Sequence, residues 1–459
     1  MKIGKKIRIM IKSKIRNSEP LLILIFLLIL IRPVSAETNG AVHQIDLPTA
    51  LRLAGAQNLD VKIAQERLRE ARANHQSAVS QFFPWVSPGI TYRQHDDKIQ
   101  DVEGNIINVN KYSYAPGATV GVQLDLGDAL YKTLAAKQLS QAADHALEAQ
   151  RQDTVLAAAQ GYFELALAQG AVGVANEAVR ISGDYETQLG SAVEAGIAFK
   201  GDLLRARVQA ERNRLALRQA REKQRIAAAR LAQVLRLDPS VELVPQDSDF
   251  APLTLILTNS PLDSLVSQTL ASRPELKQSA ALASAARDSK NGAAYGPLIP
   301  TLGAQGFWGG LGGGHDGSSD TFGGQEDYIV GASWRIGPGG LFDFGRVRST
   351  EARLKIAQFS SDKLRDEITR QVVEAFTRWQ SLADQLDTAK RALAAAEEGL
   401  RLAHQRKEYA VGVVLETIQA EQDLTRARLD YLKAVAEFNK AQYTLRKVTG
   451  QLGTSRDER

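Results

Sequence analysis

Toward the C-terminus, Leu386, Leu393 and Leu400 recur every seven residues beside Ala389, Ala396 and Ala403. After Gly412 the pattern resumes with Leu424, Tyr431, Phe438 and Leu445, flanked by Ala420, Ala427, Ala434 and Ala441. One large and one small row at heptad spacing make a coiled-coil seam, and the alanine rows let a helix pack closely on more than one side. Elsewhere the period drops to two. Val120, Val122, Leu124 and Leu126 alternate with Thr119, Gly121, Gln123 and Asp125, and Tyr328, Val330, Ala332, Trp334 and Ile336 alternate with Ile329, Gly331, Ser333 and Arg335. These segments read as strands with one greasy and one mostly polar face. Four strands are expected, near 86–95, 109–126, 301–309 and 327–336, with polar hairpin loops at Asp96–Asn110 and Leu311–Gln325.

The helical stretches, 117–238 and 339–459, contain no proline and have the same internal order. Asn58-Leu59-Asp60-Val61 aligns with Arg273-Pro274-Glu275-Leu276, Phe83-Pro84 with Ile299-Pro300, Ala195-Gly196-Ile197 with Val411-Gly412-Val413, and Arg214-Leu215 with Arg428-Leu429. The offset stays between 213 and 216. That is too long for a solenoid period and points to one large unit written twice. The units are placed at residues 37–245 and 246–459. A helix from about Ala129 to Ala195 spans roughly 100 Å, whereas the return from Asp202 to Leu237 covers only about 54 Å. A short helix before the strands, about Val61 to Phe82, nearly makes up the difference. The second copy repeats this with Arg346–Ala410 long and Glu275–Tyr295 and Thr417–Thr449 short.

Composition matters mainly through the N-terminus. Residues 2–16 carry seven Lys or Arg, Leu21–Ile31 is an unbroken run of 11 apolar residues, and Val34-Ser35-Ala36 has a small-x-small form. This reads as a secretory signal peptide over residues 1–36, cleaved after Ala36, with an uncleaved anchor as the other reading. Its removal takes the formal charge from +5 to about −2, since eight basic residues and Glu19 leave with it. The basic precursor therefore carries no argument for nucleic-acid binding. With no cysteine, the chain has no disulfide, thiolate metal site or acylated N-terminal cysteine.

Phe82, Phe83, Trp85, Tyr92, Phe307, Trp308, Trp334, Phe342 and Phe344 cluster around the alternating segments. Aromatic residues flanking strands of about 10 residues mark transmembrane barrels, although a soluble sheet with one buried face fits the alternation equally well. Four strands cannot close a lumen-bearing barrel, so a barrel reading requires several chains.

In these features the chain resembles the TolC-type outer-membrane efflux proteins. The resemblance covers nearly all of the mature chain and rests on order and spacing. Its marks are Asp46-Leu47 and Ala50-Leu51, Pro84 and Pro300, Phe342-Asp343-Phe344-Gly345-Arg346, Ala195-Gly196-Ile197 and Tyr409-Ala410-Val411-Gly412-Val413. It implies a mainly α fold with a small β part. In a homotrimer, long coiled-coil helices would form an α-barrel joined to a 12-stranded β-barrel in outer-membrane lipid. It further implies a passive exit duct of a tripartite efflux or type I secretion system. The tips Ala195, Gly196, Ile197, Val411, Gly412 and Val413 would meet a periplasmic adaptor protein, which couples the duct to an inner-membrane transporter. Asp202, Glu416 and Tyr409 fall where the family places a periplasmic gate. An acidic residue just past a helix start equally serves the helix dipole. The second tip departs from the family by lacking two residues of the first, with Val414 and Gln419 where an arginine and a carboxylate are expected.

No catalytic constellation, metal site or cofactor is expected. The histidines at 43, 75, 95, 145, 315 and 404 lack ligand spacing, and the glycine run 309–314 lacks the lysine of a nucleotide loop. The competing class is a periplasmic coiled-coil adaptor, which would carry one helical hairpin inside β-rich flanks rather than a duplicated unit. A soluble helical scaffold leaves the aromatic-flanked strands unexplained. The cargo is not legible.

Overall fold

The computed structural model describes residues 42–246, 250–256, 261–315, 321–408 and 414–452. Residues 1–36, expected as a signal peptide, lie outside this range. The first half runs β1 (Val42–Ile45), α1 (Leu47–Gln57), α2 (Leu59–Ser80), β2 (Trp85–His95), β3 (Lys98–Gln100), β4 (Ile106–Asn108), β5 (Lys111–Asp125), α3 (Leu126–Glu194) and α4 (Lys200–Leu235). After β6 (Glu242–Pro245) come α5 (Leu262–Ser272), α6 (Pro274–Tyr295), β7 (Thr301–His315), β8 (Thr321–Ser333), α7 (Phe344–Glu408) and α8 (Val414–Val448).

Several helix ends have a local cause. Asp46 accepts the Thr49 amide at 3.1 Å and Asn58 the Asp60 amide at 2.8 Å, which open α1 and α2. The long helices share one device: Asp125 accepts the Asp128 amide at 3.2 Å, and Asp343 the Arg346 amide at 2.9 Å. That cap puts Leu126 in the helix rather than in the strand where alternation placed it. α4 and α8 both end in a left-handed residue, Arg236 (φ 61°) and Gly450 (φ 71°).

At 69 residues, α3 is about 100 Å long, against which α2 and α4, of 22 and 36 residues, pack on one side. From the second half, α6 and α8 pack on α3 as well and are shared with α7. Thus α3 is lined by helices of both halves, while α7 packs chiefly on helices of its own half and reaches α3 through the Arg346–Asp128 ion pair at 3.7 Å. Much of the packing is alanine, as the small heptad row requires. The widest apolar core lies midway, where Leu51, Phe163, Leu231, Leu235 and Tyr443 meet beside the β1–β6 pair. A strap at 251–255 is held there by two buried amides on α8: Asn439 and Gln442 each accept one strap amide and donate to one strap carbonyl, at 2.8–3.0 Å.

The main sheet has the order β2-β5-β7-β8, antiparallel throughout. Its central pairing, β5 with β7, joins the two halves, and β2 and β8 are left as open edges. Two expected loops are corrected. Within Asp96–Asn110, β3 and β4 form a short ladder. Most of Leu311–Gln325 is strand, because bare glycines there carry aromatic cover. The Phe322 ring lies where a Gly310 Cβ would be, and the Tyr114 ring does the same at Gly312. β8 stops at Ser333, short of Trp334 and Ile336.

Candidate functional site

Directly paired residues share a sheet face, so the registers sort the strands into two surfaces. One face carries Val86 opposite Val120, Val122 opposite Ala304, and Ala304 opposite Val330. Toward the hairpin end the same face turns aromatic, with Tyr92, Tyr114, Trp308, Tyr328 and Phe322. The Trp308 indole donates to the Tyr328 hydroxyl at 2.8 Å, which donates to Glu326 at 3.1 Å, so the polar ends of this girdle are tied to one another. The opposite face carries Thr91, Arg93, Thr119, Gln123, Gln305 and Asp327. Its aromatics lie flat, with Trp85 over Gly121 and Phe307 over Gly117. A greasy, girdled surface backed by a polar one suits lipid on one side and water on the other. No helix among the described residues is long and apolar enough to cross a membrane.

At the other end are the helical tips. The α3–α4 turn closes through Gly196 (φ 74°), a left-handed position that favours glycine, while the Ile197 amide reaches the Ala192 carbonyl at 2.8 Å. Ala195 caps α3, and Ile197 and Phe199 project at 83% and 75% exposure. Tyr409, Val411, Gly412 and Val413 lie outside the described residues. Asp202 sits in the first turn of α4 and accepts from Arg205 at 3.3 Å. Glu416 occupies the first turn of α8 and accepts from Arg406 of α7 at 2.7 Å, a link across the hairpin.

The structure gathers the starts of α4 and α8 onto one small core of Tyr185, Leu189, Ala206 and Ile418, with Leu203 and Val414 packed against it. Gln422 of α8 donates to Gln209 of α4 at 2.6 Å just beyond. Burial pushes the Tyr185 hydroxyl up, the Thr417 hydrogen bond opposes this, and the charges of Glu421 and Asp202 add to it. Sequence reasoning missed Tyr185 and Arg406. Arg406 could have been found by its position in the sequence, ten residues before Glu416. Tyr185 lies mid-helix and carries no local signal. No group of three or more His, Asp or Glu side chains able to hold a metal occurs among the described residues.

The fold is similar to that of solved channels. The outer-membrane channel OprN matches at 21% identity with a TM-score of 0.75, over 88% of this chain and 90% of that one. The CmeC outer membrane channel of Campylobacter jejuni matches at 17% and 0.74, over 89% and 86%. VceC of Vibrio cholerae, an outer membrane protein, matches at 16% and 0.72, over 88% and 96%. In sequence, protein CyaE of Bordetella pertussis (strain Tohama I) is 36% identical over 115 residues, 25% of this chain. The match spans about a quarter of that relative's length (24%). The family model for outer membrane efflux proteins matches residues 50–235 and again 265–451, once in each half. A match of that extent, on a fold shared with outer-membrane channels, makes this chain a member of the outer membrane efflux protein family and not an enzyme.

Proposed function

We propose that the chain is the exit duct of a tripartite efflux or type I secretion system, spanning the outer membrane of a Gram-negative bacterium as a homotrimer. The observation that carries this reading is the four-stranded sheet, apolar on one face, with both edges open. An open edge in lipid leaves each unpaired backbone group at a cost of several kcal/mol, so the sheet must close. β8 of one copy pairing with β2 of the next closes twelve strands in a trimer. The free side of α7 then meets α2 and α4 of the partner subunit, as α3 meets α6 and α8 within one chain.

Substrate passes from an inner-membrane transporter through a periplasmic adaptor whose hairpins seat on the apolar tips at Ala195–Ile197 and Val411–Val413. Asp202, Tyr409 and Glu416, each repeated three times, form the gate. The bond from Arg406 to Glu416 holds the α7–α8 hairpin together and restrains its opening. The signal peptide is removed after Ala36, and the mature chain comprises the copies 37–245 and 246–459. Fractionation and the mass of the detergent-solubilised protein test the reading. A monomer in the soluble periplasm would overturn it.

A further inference from the structure

The two halves differ most where the sheet passes into the long helix. Trp85 pairs with Gly121 and its counterpart Thr301 with Ser333, so Gly121 and Ser333 correspond. From Gly121 to the cap Asp125 is four residues, but from Ser333 to the cap Asp343 is ten, six more. The additional residues fold into a closed loop. The Leu341 amide donates to the Arg335 carbonyl at 2.8 Å, and the Gly337 amide to the Leu341 carbonyl at 2.9 Å. Asp343 locks it, accepting the Gly339 amide at 2.8 Å as well as the Arg346 amide. Gly340 has no room for a side chain, since a Cβ there would stand 2.0 Å from the Arg335 carbonyl oxygen.

This rigid loop ends in a strained residue. Phe342 has φ 68°, a left-handed conformation that costs a bulky L-residue about 1–2 kcal/mol. Burial within one chain does not offset the strain: Phe342 is 69% exposed, and among the described residues its ring neighbour is Phe344, with centroids 6.3 Å apart and itself 66% exposed. A costly conformation that displays an aromatic pair calls for an apolar surface outside the chain. The corresponding position in the first half, one residue before the cap, is Leu124, which pairs with Leu302 on the apolar sheet face. Trp334 and Ile336 enter the same loop at 56% and 71% exposure.

We propose that this loop is a lipid-interface anchor, seating Phe342 and Phe344 in the boundary between headgroups and acyl chains at the helix-proximal end of the barrel. It rests on the barrel reading above. Aromatic side chains favour that layer, and the loop continues the apolar face that faces lipid. Only the second half carries it, so a trimer has three anchors, spaced evenly under the barrel. This loop, not only the strand face, sets how deep the barrel sits.

The chain has no cysteine, so a single spin label reports one position in the full-length protein reconstituted in phosphatidylcholine vesicles. Labels at Phe342→Cys, Val330→Cys and Ile197→Cys are compared by collision with oxygen and with a water-soluble nickel chelate. The anchor requires the label at 342 to report a depth between the lipid-buried 330 and the aqueous 197. Depth equal to that at 197, or shielding from both reagents as under another protein copy, overturns it. An aqueous label at 330 instead defeats the barrel reading itself. As a second readout, Phe342→Gly relieves the strain and removes the ring. It is expected to lower insertion into vesicles several-fold without lowering the heat resistance of the folded protein, and unchanged insertion counts against the anchor.

Discussion

Two glycines give the sharpest test of how copies of this chain meet. Gly127, two residues after the cap Asp125, docks the start of α3 on the end of α6: a Cβ there would stand 2.1 Å from the Gly296 carbonyl oxygen and 2.7 Å from its Cα. Gly345 holds the same place after Asp343, yet within one chain its Cβ would meet nothing closer than Asp343 Oδ1 at 3.5 Å, an ordinary contact. If the contact between copies repeats the contact between halves, Gly345 presses on the backbone near Ser80 of the partner subunit, because Ser80 precedes Pro84 as Gly296 precedes Pro300. In an isolated chain Gly345→Ala is then neutral or stabilising by up to about 1 kcal/mol, since alanine is the better helix former. In the trimer it overpacks, at about 1–3 kcal/mol for each of three contacts. Gly127→Ala carries that cost inside every chain. Heat-graded gel electrophoresis of the detergent-solubilised trimer, with circular dichroism of dissociated chains, separates the two. The expected result is a lower trimer dissociation temperature for Gly345→Ala with unchanged helicity of the monomer. A midpoint equal to or above wild type refutes the repeated-contact argument.

The same correspondence fixes the strand register between copies. Thr119 stands opposite Phe307 within the chain, so Gly331 is expected opposite Thr91 of the partner subunit. Cysteines at 331 and 91 should cross-link into a ladder of up to three chains, and stronger cross-linking of 331 with 89 or 93 would show another register. Arg273, with a 3% exposed side chain, donates to both Glu275 oxygens at 2.9 and 3.1 Å and to Gln371 at 2.8 Å. Arg273→Met should destabilise by about 2–4 kcal/mol, toward the lower side for a broken buried pair because Lys447 still reaches Glu275 at 3.3 Å. Burial raises the Glu275 carboxyl, but Arg273, its backbone amide and Lys447 outweigh that and hold it below the ordinary glutamate value. Its stabilising effect is therefore present above the unfolded-state pKa of about 4.3 and is lost as pH falls through the lower folded value. Acid-unfolding curves of Arg273→Met should lose part of that slope, and identical curves would exclude the linkage. Arg236→Gly should stabilise by about 0.5–1 kcal/mol in thermal unfolding by relieving a left-handed arginine where the second half has Gly450. Glu416→Gln, which weakens the bond from Arg406, should raise the closed-state conductance in planar bilayers. Conductance at the wild-type level would remove Glu416 from the gate.

The four longest helices were legible to within a few residues because proline is absent where they run and because Asp125 and Asp343 cap the two longest in the same way, whereas the short helices α1 and α5 were not expected. The strands were legible in number and place but not in extent. Glycine at 309–314 reads as loop until Tyr114 and Phe322, distant in sequence, are seen to cover it. The ladders β1–β6 and β3–β4, of three or four residues each, are too short to show a period. At the tips, alignment placed Asp202 and Glu416 at helix starts, where they are. Tyr185 depended on which helices come together, information a period cannot carry. The six added residues before Asp343 were missed for a related reason, since alternation continued through Trp334 and Ile336 after the ladder had ended.

Divergence between the halves would make the proposed ring of copies electrostatically consistent. Asp128 and Arg346 occupy the same helical position, three residues after their caps, and carry opposite charge. Within one chain they face each other at 3.7 Å beside the end of α6, where Arg346 also donates to the Gly292 and Ala293 carbonyls at 3.4 Å. Six identical units closed into a ring would put like charges at every such junction, a repulsion that a half-buried site makes costly. Once the unit was duplicated in one chain, the two positions could differ. In the proposed trimer the order would become Asp128, Arg346, Asp128, Arg346, placing each arginine between its own aspartate and that of the next copy. The duplication thus supplies more than a repeated scaffold: it lets one junction be attractive on both of its sides, which no ring of identical single units can achieve with one residue per position.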